Sequence, residues 1–144
     1  MPNRCAAISR SAGRTTRGLY GDVIEEIDWS VGQVMKALRE HKLEDRTLVI
    51  FTSDNGPWQQ YGAHAGSAGP FREAKGTSFE GGVRVPFIAR WPGKIVAGKV
   101  SDHIGSSVDM LATFADLAGV DAPKTDGVSI APTLLGKPDQ QKQH

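Results

Sequence analysis

Val23, Ile27, Val31, Val34, Met35 and Leu38 recur at steps of three and four, the spacing that gathers apolar side chains on one stripe of a helix. Asp22 followed by Glu25 reads as a capping box at its start. Acids at the head (Glu25, Glu26) and bases at the tail (Arg39, His41, Lys42) oppose the helix dipole. The period then changes. In "RTLVIFTSDNGP" four consecutive apolar residues, Leu48 to Phe51, predict a short strand covered on both faces, as in a parallel sheet with helices on either side. A helix feeding such a strand is half of an α/β unit.

From Trp58 to Gly82 the chain is rich in glycine and loses its apolar rhythm, a pattern that predicts a long functional loop. "GVRVPFIARWPG" alternates Val83, Val85, Phe87 and Ala89 against Arg84, Pro86, Ile88 and Arg90, which suits a strand. Pro86 cannot donate to a ladder, so it is expected at a strand start or a sheet edge. Ser106 with Asp109 opens a second helix through Met110, Leu111, Phe114 and Leu117, and Gly119 stands where a left-handed cap would close it. The tail "KPDQQKQH" is polar and is expected to add no closing element, and no internal repeat is found.

Charge changes the picture only by exclusion. In 144 residues, 17 basic against 16 acidic side chains give a net charge of +1, so no global field recruits nucleic acid or an anionic membrane. No run is long enough to span a membrane, and the N-terminal stretch has no apolar core of a secretory signal. Residues 1 to 17 are small, polar and basic and are expected to form a flexible arm, with residues 18 to 144 as the folded part. The single cysteine, Cys5, excludes an internal disulfide.

Candidate chemistry collects in two places. Asp54 and Asn55 follow the predicted strand; Asn-Gly is a strong turn signal, but the pair also presents two hard oxygen ligands at the carboxyl end of a strand. Lys75, set in "REAKGTSFEGG", can carry an ammonium to an anion among amides and hydroxyls, or remain an exposed loop lysine. His64 could donate to an anion or shuttle a proton, or stay solvated. His41 belongs to a helix end, and neither His103 nor His144 has an evident partner. The chain has no His-x-x-x-His or Cys-x-x-Cys spacing for zinc, no complete nucleotide loop and no Gly-x-Ser-x-Gly elbow.

Several stretches together carry a stronger signal. "EEIDWSVGQVMKALRE", "TLVIFTSDNGPW", "GSAGPFREAKGTSFEGGVRVPFIARWPGKI", "SSVDMLATFADLAG" and "DGVSIAPTLLG" stand in the order found in the later part of the sulfatase catalytic domain. The chain resembles the arylsulfatase A-like group of the alkaline phosphatase superfamily over about residues 18 to 136. The resemblance implies an α/β fold, a partial alkaline-phosphatase-like sandwich whose mostly parallel sheet is flanked by helices and truncated. It further implies that Asp54 and Asn55 are ligands of a divalent cation, usually calcium, and that Lys75 binds the sulfate group. Gly81 and Gly82 are expected to allow close backbone approach beside the site, and Pro57 and Trp58 to shape its rim. "AKGTSFEGG" favours a sulfatase over a phosphatase or phosphonate hydrolase.

The resemblance also implies a formylglycine nucleophile made from cysteine, and here the pattern departs. The family motif is Cys-x-Pro/Ala-Ser-Arg, whereas Cys5 opens "CAAISR", placing Ser9 and Arg10 one position too far. The family's paired-aspartate strand, the helix behind the nucleophile and the intervening lysine and histidine that contact sulfate are expected to have no counterpart between Arg17 and Leu19. The expectation is a sulfuric-ester hydrolase fragment acting on sulfated small molecules or carbohydrates in the complete enzyme, poorly active or inactive alone, and open to self-association through sheet edges. The alternative is a noncatalytic remnant that binds a partner. The resemblance implies relatives that are often periplasmic, secreted or lysosomal, while the chain as read is expected to carry no address.

Overall fold

The structure, a computed structural model, describes Gly13 and residues 16–144. Cys5 and most of the arm expected over residues 1 to 17 lie outside the described residues. The chain divides into two compact units, Met1–Ile88 and Ala89–His144.

The first unit opens with α1, Gly18–Glu40. It begins four residues before Asp22, because Leu19, Tyr20 and Gly21 supply no stop and extending a helix is easier than starting one. Asp22 therefore does not cap it. The residue is buried inside the helix, and its carboxylate accepts the Gly13 N–H at 2.7 Å. At the other end the Leu43 N–H reaches the Leu38 carbonyl (2.8 Å) and the Lys42 N–H that of Arg39 (3.0 Å). This is a Schellman closure, with Lys42 rather than glycine in the left-handed position at φ 55°. The stripe predicted to be buried is half open: Val31, Met35 and Leu38 are partly covered, while Ile27 is 41% and Val34 56% exposed.

A 3-10 turn at Glu44–Arg46 leads into β1, Val49–Thr52. It pairs with β2, Phe87–Arg90, in a two-stranded sheet. Full cover on both faces was expected; instead Phe51 is exposed and Val49 and Ile50 are half-buried, since one neighbouring strand cannot shelter both faces. Between the strands lie a 3-10 segment, Gln59–His64, and the single turn α2, Glu80–Val83. Val83 thus belongs to a helical turn and not to the strand. The strand begins directly after Pro86, the start position a missing N–H permits.

The second unit is organised by α3, Asp109–Ala118. The Ser106 N–H donates to the Asp109 carboxylate at 2.7 Å, the expected half of a capping box. Gly119 (φ 69°) closes the helix through the Val120 N–H on the Ala115 carbonyl at 3.0 Å. Asp109 and Thr113 are fully buried. Besides Ser106, the Asp109 carboxylate accepts the Val128 N–H (2.8 Å) and meets His144 Nε2 (2.8 Å), while Thr113 Oγ1 accepts the Ile130 N–H at 3.0 Å. Burial pushes the Asp109 carboxyl up, but the Ser106 and Val128 N–H groups and His144 outweigh it and hold the group below its ordinary value. The short helix α4, Ala131–Leu134, follows, and a 3-10 turn at Pro138–Gln140 does close the polar tail. Gln141 accepts from Thr133 Oγ1 (2.7 Å) and donates to the Ser129 carbonyl (2.9 Å). Among the described residues no helix is long and apolar enough to cross a membrane.

Candidate active site

The end of β1 turns at once: Ser53 Oγ donates to the Asn55 carbonyl at 2.9 Å. Two main-chain bonds then tie this turn to the loop that carries Lys75. The Gly56 N–H donates to the Gly82 carbonyl (2.9 Å) and the Lys75 N–H to the Pro57 carbonyl (3.1 Å). Such contact requires bare backbones. A Cβ on Gly56 would run into the Gly81 carbonyl oxygen, and one on Gly81 into that of Glu73. Gly81 and Gly82 are both buried, as a close approach beside the site demands.

The loop around Lys75 is itself stiffened. The Gly81 N–H reaches the Arg72 carbonyl at 2.8 Å, and Thr77 Oγ1 donates to the Ala74 carbonyl at 2.9 Å. The cations of the loop divide by partner. Arg72 lies 3.9 Å over the Phe79 ring, and Arg84 pairs with Glu80 at 3.1 Å while covering Phe71. The Lys75 ammonium has no carboxylate among the described residues; it stands 5.1 Å from the centroid of the Trp58 ring. Trp58 in turn meets Tyr61 edge to face at 4.6 Å.

Asp54 is exposed, Asn55 half-buried and Lys75 exposed. Neither the Asp54 carboxylate nor the Asn55 amide is engaged by another described residue. The structure thus brings the two oxygen-bearing residues and the lysine onto loops stapled to each other. His64 closes the 3-10 segment, exposed, and no hydrogen bond or ion pair among the described residues joins it to that pair of loops. Among the described residues no three His, Cys, Asp or Glu side chains gather as a metal site. The donor set at the strand end is therefore one carboxylate and one amide oxygen, both hard and suited to calcium but few for its six to eight ligands.

The sulfatase family model matches residues 2–120. The chain belongs to the sulfatase family. It is 47% identical over 126 residues to bovine (Bos taurus) arylsulfatase A, which covers 86% of this chain and 25% of that sulfatase. Human (Homo sapiens) N-acetylgalactosamine-6-sulfatase is 44% identical over 132 residues, 85% of this chain and 24% of the relative. The solved PsFucS1 sulfatase from Pseudoalteromonas sp. superposes with a TM-score of 0.78 at 36% identity, covering 85% of this chain and 25% of that one. The chain thus spans about a quarter of the length of the curated sulfatases it matches. The solved neighbour bears out the α/β fold expected from the motifs.

The ring pair of Trp58 and Tyr61 was only partly legible: Trp58 was expected at the rim and Tyr61 was overlooked. The signal existed in the spacing of three, which a 3-10 turn brings to one side. The Tyr61 N–H donates to the Trp58 carbonyl at 3.0 Å.

Proposed function

We propose that this chain carries the cation-holding and sulfate-holding corner of a sulfatase catalytic site, serving hydrolysis of sulfate esters of carbohydrates or small molecules in the complete enzyme. Asp54 and Asn55 would hold the divalent cation, calcium by the hardness of their oxygens. When bound, that cation supplies positive charge that stabilises the sulfate oxygens as the ester bond breaks. Lys75 donates to a sulfate oxygen, and its main-chain bond to Pro57 keeps the lysine beside the strand end. At about 4 Å and an effective dielectric near 20 that charge pair is worth roughly 4 kcal/mol before desolvation. No step is assigned to Cys5 or His64.

The single observation that carries this reading is the stapling of the Asp54–Asn55 turn to the Lys75 loop, with all three side chains free of competing ion pairs among the described residues. Two donors leave most of a calcium shell to water, so the chain alone is expected to bind the cation weakly and to turn over no sulfate ester. NMR titration with inorganic sulfate and with calcium tests it. Sulfate should move the Lys75 amide and lose that effect in Lys75→Ala; calcium should move Asp54 and Asn55 and lose its effect in Asp54→Ala. Sulfate shifts untouched by Lys75→Ala would sink the reading.

The open stripe of α1 favours a second reading, a noncatalytic module that associates through apolar surface.

A further inference from the structure

In the proposed site the ring pair beside Lys75 contacts neither sulfate nor cation, though the Lys75 ammonium lies over the Trp58 ring. Trp58 keeps 41% and Tyr61 59% of its surface exposed, although each packs against the other. Their planes stand 78° apart, so the edge of one ring braces the other against rotation. Two main-chain bonds fix the group: Tyr61 N–H to the Trp58 carbonyl (3.0 Å) and Lys75 N–H to the carbonyl of neighbouring Pro57 (3.1 Å). A braced, half-open indole with an ammonium over one part of its face is a surface for a molecule with an anionic end and a flat body.

We propose that Trp58 and Tyr61 form the platform on which the sugar ring of a sulfated carbohydrate lies while Lys75 holds its sulfate. The inference rests on the reading of Lys75 as the sulfate lysine. An ammonium and a sulfate oxygen in contact lie about 2.8 Å apart. With Lys75 Nζ 5.1 Å from the indole centroid, that oxygen stands no farther than about 8 Å from the ring centre. A pyranose carrying that sulfate is within reach of the indole. The C–H face of the sugar meets the apolar ring, and its hydroxyls stay in water at the open side, the division of labour that aromatic and polar groups make in ligand sites.

The test separates the platform from the anion site. The full chain is titrated with inorganic sulfate, N-acetylgalactosamine 6-sulfate, unsulfated N-acetylgalactosamine and 4-nitrophenyl sulfate, following the Lys75 amide and the Trp58 indole N–H by NMR. The sugar sulfate should bind about threefold to tenfold tighter than inorganic sulfate, the range an aromatic contact supplies. It should also move the indole signal. Trp58→Ala should abolish that advantage whatever it does to sulfate itself, and Tyr61→Ala, which keeps the indole, should reduce it and stands in if Trp58→Ala does not fold. A sugar sulfate that binds no tighter than inorganic sulfate, or keeps its advantage in either folded variant, overturns the platform while leaving the anion site standing. An advantage shown by 4-nitrophenyl sulfate but not by the sugar sulfate overturns the assignment to carbohydrate. Sulfate that leaves Lys75 unmoved overturns the anion site, and the platform falls with it.

Discussion

Asp109 shows how far a single carboxylate can organise a small unit. It has no exposed surface, yet the N–H groups of Ser106 and Val128 and the His144 ring all point at its oxygens. Its carboxyl is held below the ordinary value, so the charged form contributes stability above the unfolded-state value near 3.9, and that contribution is lost as pH falls through the folded one. Asp109→Asn turns an amide NH2 toward donors and should cost about 1–3 kcal/mol at neutral pH. Thermal melts of both proteins should therefore differ above about pH 4 and converge as the pH falls below it. A gap that stays constant into acid would show that charge has no part in it. The Ser106–Asp109 half of this cluster was legible because it spans three residues. The His144 bond closes over 35 residues, and no local spacing announces such a contact. The main-chain bonds that join the Asp54–Asn55 turn to the Lys75 loop span 18 and 26 residues, and no local spacing announces them either.

The two long helices end alike with different residues. Gly119 takes the left-handed position of the α3 closure at φ 69°, where a glycine signal is easy to read. In α1 the same position holds Lys42 at φ 55°, which carries a Cβ into a conformation that L side chains resist. Lys42→Gly should therefore stabilise the chain by about 0.5–1 kcal/mol, and Gly119→Ala should destabilise it by about 1 kcal/mol. Urea unfolding with unchanged slopes measures both; equal responses to the two substitutions would contradict the pairing of conformation and residue type. Helix interiors were legible from period and strand β1 from its apolar run, displaced by one residue. The start of α1 was not, since Asp22 mimics a cap while its carboxylate serves Gly13. Nor was the α2 turn, because the alternation of "GVRV" imitates a strand where backbone bonds from Gly82 to Phe79 (2.8 Å) and from Arg84 to Glu80 (2.8 Å) coil the chain instead.

At the scale of the whole chain, apolar pattern and actual burial part company. The α1 stripe has the spacing of a buried helix face, yet Val23, Ile27 and Val34 are exposed, as are Ile24 on the same helix and Phe51 in β1. The largest fully buried side chains among the described residues are Thr113 and Asp109, neither of them apolar. The chain spans about a quarter of the length of its curated relatives, and the described residues leave these apolar side chains open to water. Covering one such Val, Ile or Phe side chain recovers about 1.5–3 kcal/mol, so several on one helix face reward association strongly. The chain is therefore expected to self-associate, with a mean mass in sedimentation that rises over about a hundredfold range of concentration by mass action. Ile27→Lys sets a charge in the middle of the face and should shift the rise to higher concentration, while Glu25→Lys, beside the stripe, should not. A chain that stays monomeric throughout would mean that the exposed face is tolerated in water, and the remnant reading would lose its one structural support.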